Sequence, residues 1–231
     1  MKIYGLQKMT LLDFPGHVAC TVFLGFCDFR CPFCHNFELV DGTCPPLMDE
    51  TELYRFLEKR KGLLDGVAVT GGEPMLNGGL PELLKTVRQM GFKTKVDTNG
   101  CHPEMLKKLL DGGLIDYVAM DVKNSRDKYA LTAGVARVDL SAIDRSIRLI
   151  EDSDIAAEFR TTVIEGHHDE ADIRAIGQWL RARKPIYLQP FTDRDTVPVR
   201  GLRAPDRETL RRFLAILTEC GQKAYLRGED S

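Results

Sequence analysis

The chain has 231 residues, 43% of them hydrophobic, which suits one α/β domain with a substantial core, and we expect a single domain over residues 1–231. Its 32 basic and 34 acidic residues give a formal net charge of -2, which argues against binding to nucleic acid or an anionic membrane. The N-terminus lacks the apolar segment of a signal peptide, and the longest apolar stretch, near Val18 to Phe26, is too short to cross a bilayer. We therefore expect a soluble cytoplasmic protein, in which the seven cysteines are thiols or metal ligands rather than disulfides.

Short segments rich in β-branched and aromatic residues alternate with helical patterns along the chain. An N-terminal hairpin is predicted around residues 4–14, and a last short strand near Ala224–Leu226. Between them lie six predicted strands, at Ala19–Leu24, 67–70, 94–97, 117–122, 158–164 and 186–189.

The predicted helices between these strands carry their own start and stop signals. Pro81 marks the beginning of one helix and Gly91 its end, and Pro103 and Gly112 do the same for the next. Strands that alternate with helices must run parallel, joined by right-handed crossovers. Six such units are too few for an eight-stranded barrel, so the sequence predicts a partial (β/α)6 TIM-like barrel, with its chemistry where the strands end.

Cys27, Cys31 and Cys34 lie in a short loop directly after the first of these six strands. Three thiolates can hold one iron-sulfur cluster, and because a ferredoxin-type cluster usually has four cysteines, they would leave one iron open. Two alternatives use the same loop: His35 could complete a zinc site, or Cys44 could supply a fourth thiolate in a plain electron carrier. A structural zinc site usually pairs two ligand hairpins, and the sequence has no second one, so we favour the open cluster.

The spacing CxxxCxxC, with Phe33 just before the last cysteine, resembles the motif of the radical S-adenosylmethionine (SAM) superfamily. The resemblance implies that the three thiolates bind one 4Fe-4S cluster, whose open iron binds the amino and carboxylate groups of SAM. It also implies that electron transfer from the cluster breaks a carbon-sulfur bond of SAM, giving methionine and a 5'-deoxyadenosyl radical. Phe33 is then expected to pack near the adenine.

The turn Gly71-Gly72-Glu73-Pro74 follows the second of these strands. Glycines let a backbone come close to a ligand, and a glutamate can pair with an ammonium group. A Gly-Gly pair alone would indicate an ordinary strand-to-helix turn. Beside the cysteine loop, however, the turn resembles the GGEP motif of the same family, which implies that Gly71, Gly72 and Glu73 hold the amino group of SAM.

Charged residues end the third and fourth of these strands. Asp97-Thr98-Asn99-Gly100 closes the third, and Asp121 lies at the end of the fourth with Lys123 two residues on, facing the same side. Buried charges need partners, and a zwitterionic amino acid could supply them, although a structural salt bridge is the alternative. Arg160, a charge inside the apolar fifth strand, is expected to pair with an anion.

The DTNG and D-x-K motifs together resemble the glycyl radical enzyme activating enzymes, a subgroup of the superfamily. The resemblance implies that Asp97, Thr98 and Asp121 surround a monovalent cation beside the cofactor, and that Lys123 and Arg160 contact the cofactor carboxylate. The pyruvate formate-lyase activator of this subgroup has a cofactor-contacting histidine near its last strand. Residues 188–192 contain none, and Gln189 is the available substitute. The histidines of the polar 167–168 segment are expected to be exposed.

Residues 5–16 and the run Cys34-His35-Asn36 resemble the activating proteins of anaerobic ribonucleoside-triphosphate reductase. This implies hydrogen abstraction from a glycine Cα of that partner protein. Because only Cys44 lies between the cysteine loop and GGEP, we expect a single cluster that depends on a flavodoxin or ferredoxin-type reductant. The alternatives are a small-molecule radical SAM enzyme such as 7-carboxy-7-deazaguanine synthase, which acts on a pterin, and a non-catalytic iron-sulfur or zinc protein.

Overall fold

The computed structural model describes residues 1–228, in which strands and helices alternate. The strands are β1 (Lys2–Ile3), β2 (Gly5–Thr10), β3 (Ala19–Leu24), β4 (Met48–Asp49), β5 (Gly66–Gly71), β6 (Lys93–Thr98), β7 (Tyr117–Asp121), β8 (Ala156–Val163), β9 (Ile186–Pro190) and β10 (Ala224–Leu226). The helices are α1 (Phe37–Val40), α2 (Glu50–Glu58), α3 (Leu80–Gln89), α4 (Pro103–Asp111), α5 (Tyr129–Ala133), α6 (Leu140–Asp152), α7 (Glu170–Trp179) and α8 (Arg207–Glu219), and a 3₁₀ turn spans Pro74–Leu76. All six predicted strands are present, each within two residues of its predicted ends.

The main sheet has eight strands in the order β10-β9-β8-β7-β6-β5-β3-β2. In this sheet, β3 and β5 to β10 run parallel to one another, and only β2 pairs antiparallel, with β3. The N-terminal hairpin is therefore larger than predicted, because β2 pairs with β3 rather than within residues 4–14. The last strand pairs with β9 where the sequence places it. Strands β1 and β4 form a separate antiparallel pair.

The strands separate an apolar face from a polar one. Side chains such as Val67 and Val69 on β5 are fully buried and belong to the hydrophobic core that the helices cover. The opposite face of the sheet carries charged side chains, among them Asp97 on β6 and Arg160 on β8, which hydrogen-bond to each other. Residues two apart on a strand share a face, so this polar face continues along neighbouring strands toward their carboxyl ends.

The helices are amphipathic and bury apolar stripes. On α3, Leu80, Leu83, Leu84 and Val87 are buried, and Gly91 just beyond its end has a φ of 96°, a conformation that favours glycine. On α8, the stripe is Leu210, Phe213, Ile216 and Leu217. No helix within residues 1–228 is long and apolar enough to span a bilayer.

Candidate active site

The three cysteines follow β3 in a loop whose backbone packs against the GGEP turn. The amide of Gly72 donates to the Leu24 carbonyl oxygen at 2.8 Å, and the amide of Glu73 donates to the Phe26 carbonyl oxygen at 2.7 Å. A Cβ atom on Gly72 would lie 2.0 Å from the Phe26 oxygen, so only glycine permits this approach. The cysteine loop and the GGEP turn, which are separate motifs in the sequence, are thus joined by backbone hydrogen bonds.

Two further segments support the cysteine loop from behind. The amide of Arg30 donates to the Ala133 carbonyl oxygen of α5 at 2.9 Å, and a Cβ atom on Gly134 would lie 2.0 Å from the Arg30 oxygen. The amide of Val199, in the segment after β9, donates to the Pro32 carbonyl oxygen at 3.3 Å. The positions of the thiols therefore depend on segments far away in sequence.

The thiols themselves are protonated unless a metal binds them. Cys31 is buried, and burial raises the pKa of Cys27 to about 12. Two groups nevertheless donate to the Cys27 sulfur, the Phe29 amide at 3.4 Å and the Asn99 side-chain amide at 3.8 Å. Coordination to a metal would deprotonate the thiol, and these donors would then stabilise the thiolate.

His35 and Cys44, the other ligands considered for this loop, have partners elsewhere. The Nε2 atom of His35 lies 2.6 Å from the Thr192 carbonyl oxygen, and its ring stacks on Phe191 at a centroid distance of 5.8 Å. The Cys44 thiol donates to the Pro45 carbonyl oxygen at 3.6 Å. Zinc would bind each thiolate at about 2.3 Å, and no three His, Cys, Asp or Glu side chains among residues 1–228 converge closely enough to hold a single ion.

Glu73 connects the end of β5 to the end of β6. Its side chain accepts from the Met75 amide at 3.0 Å, from the Thr98 hydroxyl at 2.9 Å and from the Asn99 amide at 2.6 Å. Burial raises the pKa of Glu73 to about 7, although these three donors act in the opposite direction. Within residues 1–228 the Asn99 amide is the only donor to Oε2, so that oxygen retains a lone pair for another donor.

Arg160 on β8 links the two aspartates predicted at the strand ends. Its guanidinium donates to Asp97 at 3.1 Å and to Asp121 at 2.8 Å, while Lys123 donates to the other Asp121 oxygen at 2.8 Å. Burial opposes ionisation of Asp121, but Arg160 and Lys123 outweigh it and hold the pKa of this carboxyl well below its usual range. The predicted residues Asp97, Asp121, Lys123 and Arg160 therefore form one charged cluster.

Lys95 belongs to this cluster too, although no local sequence pattern distinguishes it from an exposed strand lysine. Only 2% of Lys95 is exposed, and its ammonium nitrogen lies 2.5 Å from Asp97 and 5.7 Å from the centre of the Tyr117 ring. Beneath it, the Tyr117 hydroxyl donates to Glu158 at 2.9 Å, and Arg227 donates to the same carboxylate at 2.5 Å. The polar face thus extends from the strand ends into the interior of the partial barrel.

A cavity of about 230 Å³ lies between the cysteine loop and the charged cluster. All of the predicted site residues line it, namely Cys27, Cys31, Phe33, Cys34, Gly71, Gly72, Glu73, Asp97, Thr98, Asn99, Asp121, Lys123 and Arg160. Gln189 also lines it, and so does His35, which the cysteine loop brings to the end of β9. The strand itself has no histidine at this point, but His35 from the cysteine loop places an imidazole beside it.

The expected exposure of His168 is wrong. The Ile164 amide donates to its Nδ1 atom at 3.3 Å, and its Nε2 atom lies 2.9 Å from the Lys123 carbonyl oxygen. Burial lowers the pKa of His168, so its ring is neutral and donates through Nε2. It joins the ends of β7 and β8 directly below Lys123.

Comparisons with known proteins identify the family of this chain. The model of the Radical SAM superfamily matches residues 21–178, more than half of the chain. This chain belongs to the radical SAM superfamily. A Methanocaldococcus jannaschii protein provisionally named a glycyl-radical enzyme activating enzyme is 31% identical over 84% of this chain and 81% of its own length. The pyruvate formate-lyase 1-activating enzyme of Escherichia coli is 24% identical over 96% of this chain and 97% of its own length.

Two other proteins extend the comparison. A 7-carboxy-7-deazaguanine synthase of Methanopyrus kandleri is 29% identical over 78% of this radical SAM chain and 75% of its own length. The crystal structure of a domain of pyruvate-formate lyase-activating enzyme from Bacteroides vulgatus superimposes with a TM-score of 0.59 and 26% identity, covering 71% of this chain and 99% of the other. These matches agree with the partial barrel predicted from sequence, and none of the four proteins is named for ribonucleotide reductase.

Radical SAM membership implies a 4Fe-4S cluster and SAM as cofactors, and the residues present fit both. Three free cysteines on one loop line the same cavity as the charged cluster, and amide donors already face one of the sulfurs. The two lysines and the arginine exceed the two aspartates of the cluster by one positive charge, which suits an anionic group such as a carboxylate.

Proposed function

We propose that this chain is a glycyl radical enzyme activating enzyme whose protein substrate is anaerobic ribonucleoside-triphosphate reductase. The observation that carries the proposal is the single cavity in which the cysteine loop, Glu73 and the Arg160 cluster meet. The names of two relatives support the activase reaction. The resemblance of residues 5–16 and of Cys34-His35-Asn36 supports the particular partner.

The cysteine loop would hold one cluster through Cys27, Cys31 and Cys34. When bound, the cluster and SAM supply a one-electron cleavage and a radical that removes hydrogen from a glycine Cα. The residues that line the cavity would orient the two cofactors relative to each other, with Phe33 as an apolar surface for the adenine. Because Cys44 is the only other thiol between the cysteine loop and GGEP, one cluster and an external flavodoxin or ferredoxin-type reductant complete the proposal.

The opposite ends of the methionine part would meet opposite charges. Glu73 keeps a lone pair on Oε2 for the ammonium group, since among the described residues that oxygen accepts only from Asn99. The Lys123 ammonium has three N–H donors and uses one for Asp121, so it can also donate to a carboxylate. The guanidinium of Arg160 can do the same. With this polarity, the ammonium end of the amino acid would lie near Glu73 and the carboxylate end near Lys123 and Arg160.

The test uses anaerobically reconstituted protein, which should contain about four irons per chain. Mixed with SAM, a reductant and purified anaerobic ribonucleoside-triphosphate reductase, it should give the doublet of a glycyl radical in electron paramagnetic resonance. Cys31→Ala should abolish iron binding and the doublet, while Cys220→Ala, which alters a thiol outside the cavity, should leave both unchanged. SAM cleavage without a doublet would reject this partner, and pyruvate formate-lyase is the next to test.

A small-molecule reaction is the second candidate, because a 7-carboxy-7-deazaguanine synthase is similar over most of this chain. The same reconstituted protein would be incubated with SAM, Mg²⁺ and a carboxylated pterin. Pterin turnover that requires Mg²⁺ would favour this reaction over protein activation. Formation of a glycyl doublet with no pterin turnover would exclude it.

A further inference from the structure

The charged cluster bears on the monovalent cation that the family resemblance implies. For such an ion to bind, oxygen atoms of Asp97, Thr98 and Asp121 would have to be available as ligands, because hard cations take oxygen donors. Each of the four carboxylate oxygens of the two aspartates already accepts from a lysine or an arginine, so a metal ion bound to any of them would lie beside a positive charge and be repelled by it. The aspartates are therefore already balanced by the protein itself.

The hydroxyl of Thr98, the third group that the resemblance assigns to the cation, also has partners within the protein. The hydroxyl of Thr98 donates to Glu73 at 2.9 Å and accepts from the Gly100 amide at 3.0 Å. Thr98 directly follows Asp97 on β6, and consecutive strand residues point to opposite faces of the sheet. The side-chain oxygens assigned to the cation by resemblance are thus all hydrogen-bonded within the protein, the aspartates to cationic groups, and as placed they do not fit the ion.

The charge balance leads to the same result. Lys95, Lys123 and Arg160 carry three positive charges against the two negative charges of the aspartates, which leaves one in excess. A bound sodium or potassium ion would raise that excess to two in a largely buried group, and uncompensated buried charge is costly. A ligand carboxylate would instead bring the total to zero. The cluster is thus complete as a receptor for an anion without an added metal ion.

Lys95 supplies the positive charge that exceeds the two aspartates. It is buried, it enters from the barrel interior, and its ammonium nitrogen lies 2.5 Å from the Asp97 oxygen that Arg160 does not contact. We infer that the Lys95 ammonium takes the place of a monovalent metal ion beside Asp97, so that SAM binding to this chain needs neither sodium nor potassium. The inference rests on the proposed binding of SAM in this cavity, but not on the identity of the partner protein.

The first experiment measures SAM affinity for the reconstituted wild-type protein by equilibrium dialysis. The salt is choline chloride in one series and sodium or potassium chloride in the others, at the same ionic strength. We expect dissociation constants that agree within twofold. A fivefold or larger loss of affinity in choline would overturn the inference, whatever happens with any glycyl radical enzyme.

The second experiment removes the ammonium. Lys95→Met keeps an unbranched apolar side chain but removes the ammonium, so that Arg160 is the remaining cationic partner of Asp97 within residues 1–228. We expect SAM affinity in choline to fall at least tenfold and to recover at least partly in sodium or potassium. Lys95→Arg keeps the charge and should remain independent of the metal ion. The control is Lys93→Met, because Lys93 lies on the same strand but is exposed and pairs with Asp116 at 3.3 Å.

Sodium NMR gives a readout that does not involve SAM at all. Wild-type protein should not broaden the ²³Na line beyond the Lys93→Met control, whereas Lys95→Met should. If Lys95→Met does not fold, Lys95→Gln, whose amide can still donate to Asp97, replaces it in both measurements. A variant that lacks the ammonium and yet binds SAM in choline as tightly as the wild type would refute the role of Lys95. Failure to activate any partner would leave all of these results interpretable.

Discussion

Replacing Arg160 with methionine should lower the free energy of unfolding, because the side chain forms two ion pairs in a largely buried position. The side chain is 15% exposed and joins β8 to the aspartates of β6 and β7, so its removal breaks two charge-assisted hydrogen bonds. Removing one partner of a buried ion pair typically costs about 3–5 kcal/mol. Because Lys95 still pairs with Asp97 and Lys123 with Asp121, we expect a smaller cost here, of about 2–3 kcal/mol.

Urea unfolding of the cluster-free protein at pH 7, followed by circular dichroism, measures this loss. With an m value of roughly 3 kcal/mol/M, the midpoint should fall by about 0.7–1 M. Arg160→Lys should give an intermediate result, since one ammonium group cannot reproduce the planar fork that reaches both aspartates.

The matched control is Arg174→Met. Arg174 contacts Glu219 at 3.1 Å, but its side chain is 47% exposed, and such pairs contribute only about 0.2–1 kcal/mol. If Arg160→Met changed stability by no more than Arg174→Met, the charged cluster would not support the fold as described.

Three further changes test other parts of the structure. Gly72→Ala should displace the cysteine loop and lower the iron bound after reconstitution several-fold. The control is Gly78→Ala, which should bind iron normally because nothing lies within 4 Å of the added Cβ. Equal iron contents in the two variants would disprove the close contact. Burial lowers the pKa of His168 in the folded protein, so as pH falls its ring is protonated in the unfolded chain before it is protonated in the folded one. The folded state therefore loses stability as pH falls below about 6.5. Urea unfolding at pH 7 and pH 5 should therefore show a smaller loss for His168→Gln than for wild type, while His167→Gln should behave as wild type. Tyr117→Phe removes a hydrogen bond to a buried carboxylate and should cost about 1 kcal/mol in the same assay, and no measurable change would mean that this bond adds nothing.

Local pattern was enough to predict the strands and the residues at their ends. Strand period and turn residues act within a few positions, and parallel strands bring their carboxyl ends to one edge, so Asp97 and Asp121 could be predicted to meet. The cysteine motif was informative for the same reason, because its ligands are close in sequence.

Contacts between distant segments could not be predicted in this way. Lys95 lies in the run 93–96, where alternating lysines and apolar residues equally suit an exposed strand, and only the curvature of the sheet places its ammonium inside. His168 occurs in a polar segment and is buried because β7 and β8 end on either side of it. The contact of His35 with Thr192 joins residues 157 positions apart.

The origin of the abstracted hydrogen tests the proposed activase reaction most directly. The partner reductase would be produced with glycine deuterated at Cα and mixed with reconstituted protein, SAM and reductant, and the 5'-deoxyadenosine analysed by mass spectrometry. Activation predicts one deuterium in 5'-deoxyadenosine, and none when the partner carries ordinary glycine. Efficient cleavage of SAM with no deuterium transfer from the labelled partner would contradict the assignment of this reductase as the substrate.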